Sequence, residues 1–162
     1  MRAITWFKEL GLKRKLALVL APGVAAIGLD AGIAHFAGRP AHHPAQLAPV
    51  LFAPVAVALL GWAGHAALGE VALRRVLRAV GALGIFVGGA GTAFHLLALA
   101  RLMEAPFRVS DLAAALAVAP PLFAPGAFAG LGALIWVLGN PRLELAIHDA
   151  PATLAAPLHP AL

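Results

Sequence analysis

Hydrophobic residues fall into four long blocks along this chain, and polar residues gather in the joints between them. The first block runs from Leu16 to Ala37 and carries one charge, Asp30. The second, Leu47 to Gly69, and the third, Ala79 to Ala100, carry none. The fourth, Leu112 to Gly139, is interrupted by Pro120, Pro121 and Pro125. Each block can cross a hydrocarbon core of roughly 30 Å at about 1.5 Å per helical residue. Because the joints are short, successive helices must run in opposite directions. The pattern predicts an all-α integral membrane protein: an up-down four-helix bundle over residues 16–139 with an amphipathic N-terminal helix.

That N-terminal stretch, "MRAITWFKELGLKRK", mixes Trp6, Phe7, Leu10 and Leu12 with five basic residues. It reads as an interfacial helix over residues 1–15, apolar on one side and cationic on the other. The apolar run behind it is too long for the core of a typical signal peptide. The last stretch, 140–162, has one short amphipathic segment followed by prolines, and is expected to be a cytoplasmic tail.

Composition strengthens the membrane reading. Hydrophobic residues make up 62% of the 162 positions and charged residues only 12%, about half the share of a soluble domain. The net charge of +5 therefore speaks to orientation across a bilayer. No stretch interleaves aromatic and basic residues in the manner of a single-strand binder, so nucleic acid is not an expected partner. Nine of the twelve Lys and Arg residues lie on one side of the expected bundle: Arg2, Lys8, Lys13, Arg14, Lys15, Arg74, Arg75, Arg78 and Arg142. Arg39, Arg101 and Arg108 lie on the other. The positive-inside rule then places both termini in the cytoplasm. Arginine-rich, alanine-rich usage points to a GC-rich bacterial genome, hence a bacterial inner membrane.

The expected depth of each ionisable residue selects the candidate chemistry. Asp30 lies about 13 Å along the helix axis from Arg39, inside the outer leaflet. His35 is about one turn below that edge, and His95 is about 9 Å below Arg101. His42 and His43 belong to the first outer loop, and the Pro120–Pro121 break reaches the same layer. Ionisable groups at membrane depth are costly and mark functional sites by default. The expectation is that Asp30, His35 and His95 point into the bundle as one polar cluster under the loop. The simplest alternative is interhelical glue, with Asp30 neutral or sharing a proton with a histidine. His65 lies at the other end of the bundle, near Glu70 and the arginines, with Trp62 one turn away as an interfacial anchor.

No cysteine is present, so neither disulfides nor thiolate ligands are available. A metal would have to use imidazole and carboxylate, which suits zinc, iron or copper(II). The candidate ligands are Asp30, His35, His43 and His95. Asp30 and His35 lie about 140° apart around a helix, so both can face one ion only where the helix distorts or ends. Gly38 and Pro40 supply such an ending; Asp30 would then orient a ring N–H from outside the ligand set. Haem b held by two histidines is the other cofactor reading, and only His35 with His95 share a depth for it. Nothing resembles a nucleophile–base arrangement. "GGAGTAF" sits mid-span with no preceding strand, so it is not a phosphate loop, and Ser110 beside Asp111 reads as a helix cap.

Gly28/Gly32, Gly84/Gly88 and Gly126/Gly130 are small-xxx-small pairs, and Gly89 and Gly91 add to the third span. Small residues let membrane helices approach closely. Gly88, Gly91, Gly126 and Gly130 are therefore expected at helix–helix contacts, within the bundle or against a partner.

The order of "D-x4-H" at Asp30 and His35, "GRPAHHP", "GTAFHLLALAR" and "APPLFAPGAF" resembles a loose group of small four-span bacterial membrane proteins. Those carry an Asp…His pair closing the first span, a histidine after proline in the first outer loop, a Phe-His near the end of the third span and a Pro-Pro-x-x-Ala-Pro break in the fourth. The resemblance covers residues 25–140. It departs at "HHP", where the group more often places proline before histidine, so His42 and His43 are not secure equivalents. It implies a site in the outer layer without naming its ligand.

Four short helices leave little room for an enclosed substrate cavity, and the small-residue faces exceed what one bundle needs. The expected function is an accessory or assembly subunit of a larger membrane complex, in contact with lipid and with other membrane subunits or further copies of itself. The alternatives are a metal- or haem-binding redox protein using the outer layer, and a proton-coupled transporter with Asp30 as the titrating group.

Overall fold

The computed structural model describes residue 7 and residues 9–36, 44–102 and 123–141. Every element among the described residues is helical. Helix α1 spans Leu12–Phe36, a 3-10 turn at Pro44–Gln46 leads into α2 (Leu47–His65), α3 spans Glu70–Leu102, and α4 spans Phe123–Leu138. Of the expected N-terminal helix over 1–15, residues 1–6 and 8 lie outside the described residues and Leu12–Lys15 belong to α1; Pro120, Pro121 and the tail from 142 onward also lie outside.

Leu12–Phe36, Pro44–His65 and Glu70–Arg101 are each long and apolar enough to cross a membrane. This is the character of a membrane protein. A helix is the form such a segment requires, because any chain that crosses lipid must satisfy each backbone N–H and C=O within itself. Pro22 and Pro54 sit inside α1 and α2. Each removes one backbone donor, which a membrane helix tolerates with a local kink. α4 is shorter, with 16 residues, so at about 1.5 Å per residue it falls short of the hydrocarbon thickness.

Each helix packs on its sequence neighbour, and α1 also touches α4. Paired contacts give the directions. Gly64 sits beneath Leu18 while Gly28 meets Ala53, so α1 and α2 run antiparallel. Gly81 meets Trp136 and Gly91 meets Pro125, so α3 and α4 do too. The core is lined mostly by small residues on α1 and α2: Ala17, Ala21, Ala31, Ala53, Ala56 and Ala63 are all buried. Phe128, Leu60, Leu77 and Ile135 supply its bulk. The Phe128 ring meets Phe52 edge-on, with centroids 5.8 Å apart.

The α3–α4 contact is a backbone-to-backbone seam. A Cβ on Gly88 would stand 2.6 Å from the Pro125 carbonyl oxygen, and one on Gly132 would stand 2.5 Å from the Ile85 nitrogen. Gly81 and Gly139 are similarly closed, and at Gly84 a Cβ would stand 3.0 Å from the Gly132 Cα. Of the four glycines expected at contacts, Gly88 and Gly91 are there, Gly91 more loosely, with 3.0 Å to the Pro125 Cβ. Gly126 and Gly130 make no such contact among the described residues: none of these stands within 4 Å of a Cβ at either. The reason is helical phase. The face of α4 turned to α3 follows Pro125, Ala129, Gly132, Trp136 and Gly139, at steps of four, three, four and three. Gly126 and Gly130 fall off that stripe.

At the opposite end from His35, charged side chains tie the helix ends together. Arg14 donates from both terminal nitrogens to carbonyls past the end of α2: Nη1 to Ala66 O and Nη2 to Leu68 O, the latter at 2.5 Å. These oxygens belong to backbone that no further helical turn satisfies. Lys13 Nζ and Arg74 Nε both donate to Glu70 Oε1, at 2.5 and 2.8 Å. Glu70 opens α3, where a carboxylate also meets the positive end of the helix dipole.

Candidate functional site

The outer-layer candidates lie on two helices. His35 stands in the last turn of α1, next to its terminal residue Phe36. His95 stands one turn beyond Gly91 on α3, and Gly91 is where Pro125 of α4 makes its contact. The two imidazoles meet edge-to-face: ring centroids are 6.5 Å apart and the planes cross at 76°. Both residues are half-buried, and the Nδ1 atom of His95 is shielded from solvent. The contact joins helices that are not sequence neighbours. Local sequence spacing therefore gave no direct signal for it; equal depth from the outer edge did.

Asp30 is not part of this pair. It is exposed on the outer side of α1 and does not point into the bundle. The helix continues unbroken through Phe36, so the five-residue step from Asp30 to His35 keeps its turn of about 140° and the two side chains diverge. The buried stripe of α1 is Ala17, Ala21, Val24, Gly28 and Ala31, and Asp30 lies beside it rather than on it. Leu29 and Ile33 flank Asp30 on the exposed side, at 66% and 57% exposure.

His43, the remaining proposed ligand, lies outside the described residues, as does His42. Among the described residues no group of three or more histidine, aspartate or glutamate side chains is placed to hold one metal ion. His65 is exposed at the end of α2, far from His95, as its position in the sequence requires. A shallow apolar groove between α1 and α2, about 380 Å³, runs below Asp30 and is lined by residues including Gly28, Leu29, Ala53 and Pro54. It contains no polar side chain that would orient a substrate.

Sequence reading missed the clasp made by Lys13, Arg14, Glu70 and Arg74. Those residues were read only as markers of orientation. The available signal was that Glu70 is the one acid between Asp30 and Glu104, set among cations.

No family model matches the chain, and neither a curated protein nor a solved structure matches it.

Proposed function

We propose that this chain is a small multi-pass subunit of a bacterial inner membrane, with four spans and both termini cytoplasmic, that supports or assembles a larger membrane complex. The observation that carries the reading is the exposure of Asp30 on α1. From Asp30 to the end of α1 at Phe36 is about 9 Å along the axis. A carboxyl side chain is too short to reach water from that depth. Even on the lenient insertion scale, a carboxylate at the helix centre costs about 2.5–3.5 kcal/mol. Facing lipid, Asp30 would either bear a large part of that cost or be neutral with its hydrogen bonds unmade. Facing a second polypeptide that offers a donor or a cation, it bears neither.

Two further features support the same reading. Gly126 and Gly130 form a small-residue patch on α4 that none of the described residues fills, and such patches suit close helix contacts. The nine-to-three distribution of basic residues supports the orientation. The fourth span is proposed from the apolar block Leu112 to Gly139 in the sequence, of which α4 is the described part.

The experiment is native electrophoresis of the chain extracted from its own membranes in a mild detergent. The wild-type chain should migrate in an assembly well above a single 16.5 kDa chain in its micelle. Asp30→Leu should release it from that assembly while its helicity is kept. Migration of the wild type as a lone chain would contradict the reading.

A further inference from the structure

We propose that His35 and His95 together bind a divalent transition-metal ion, zinc or copper(II), at the outer end of α1 and α3. The proposal is independent of what covers Asp30. It begins from the ring geometry, a centroid separation of 6.5 Å with planes at 76°. Metal–nitrogen bonds of about 2.0–2.1 Å put the centroids of two ligating imidazoles about 5 Å apart at a tetrahedral angle, and about 6.5 Å apart only when the two nitrogens lie on opposite sides of the ion. The observed separation therefore matches trans ligation, as in a square-planar copper(II) site. Tetrahedral zinc would need the two rings to close by about 1 Å. The other nitrogen of each ring stays available for a hydrogen bond that fixes its orientation, as is usual for metal-bound histidine.

The ligand chemistry selects the ion. Two neutral imidazoles and no carboxylate suit zinc or copper(II), and do not suit magnesium or calcium, which want oxygen. Among the described residues these two rings are the only imidazoles brought together, and they would supply two of the ion's ligands.

Electrostatics set where such an ion can sit. A divalent charge in mid-bilayer would be prohibitive, but His35 is one residue from the end of α1. That level is the headgroup boundary. There the last carbonyls of α1 have no helical partners, and the negative end of the helix dipole favours a cation.

The test uses the full chain without a histidine tag, in lipid nanodiscs, titrated with copper(II) alone and followed by electron paramagnetic resonance. The expected result is binding with hyperfine structure from two ring nitrogens. His35→Ala and His95→Ala should each lower affinity by at least about tenfold and remove the two-nitrogen signature, whereas His65→Ala should leave both unchanged. Circular dichroism checks each variant. If an alanine variant loses its helices, His35→Gln and His95→Gln, which keep most of the side-chain volume, decide the matter. Unchanged affinity and spectrum in folded variants of both positions, or no two-nitrogen signature in the wild type, would overturn the proposal. The pair would then be an edge-to-face contact that only holds α1 to α3.

Discussion

Gly84 of α3 and Gly132 of α4 face each other across a seam with no room for side chains: a Cβ on Gly84 would stand 3.0 Å from the Gly132 Cα. In lipid the hydrophobic effect gives no drive for one helix to seek another, so association rests on close van der Waals contact. This seam is therefore where the chain's own packing energy is concentrated, and it is the part of the fold least tolerant of added atoms.

Gly88→Leu and Gly132→Leu should each separate α3 from α4. Overpacking costs about 1–3 kcal/mol where neighbours can give way; here the obstacle on both sides is backbone, so the loss should reach the upper end or beyond. Gly126→Leu should leave the fold intact, because a Cβ there meets nothing within 4 Å. Thermal unfolding in detergent, followed by helicity, separates the two outcomes. Equal destabilisation at positions 88 and 126 would contradict the assigned phase of α4.

The Arg14 fork and the Glu70 ion pairs should contribute unequally. Arg14→Ala leaves the carbonyls of Ala66 and Leu68 without their donors, a loss of about 1–3 kcal/mol where the groups are shielded. The carboxyl side chain of Glu70 is half exposed, at 49%, so its pair with Lys13 should be worth under about 1 kcal/mol. A double-mutant cycle on Lys13 and Glu70, set beside Arg14→Ala in the same unfolding assay, checks the order. Added salt should weaken the Lys13–Glu70 coupling.

How much of this was legible beforehand differs by feature. Apolar blocks of about twenty residues locate helices without knowledge of their neighbours, and α1, α2 and α3 each contain most of a predicted block, although α3 begins at Glu70, nine residues before the block's start at Ala79, so that Arg74, Arg75 and Arg78 lie on the helix rather than in a joint. The fourth block was read from Leu112; residues 112–122 lie outside the described ones, and α4 is described from Phe123. Depth is also a one-dimensional property, so the levels of His35 and His95 could be counted from the nearest arginines. Rotational phase is not. Nothing in the sequence fixes which way a helix of nearly uniform hydrophobicity turns, which is why Asp30 was expected on a face it does not occupy. The close approach of Gly81 and Gly139 was missed for the same reason.

Orientation is tested by cysteine labelling, and the chain has no native cysteine to confuse the result. Arg39→Cys should react with a membrane-impermeant maleimide from the periplasmic side of intact cells. Arg75→Cys should react only after the membrane is opened. The reverse pattern would overturn the assignment of both termini to the cytoplasm.

The central claim is that another polypeptide covers the Asp30 face of α1. It is tested most directly by placing a photo-crosslinking residue at Leu29 or Ile33, which flank Asp30 on the exposed side, and irradiating the membranes in which the chain is made. The account predicts discrete protein adducts from both positions, abolished by Asp30→Leu in the same chain. Adducts to lipid alone from both positions, unchanged by Asp30→Leu, would contradict it.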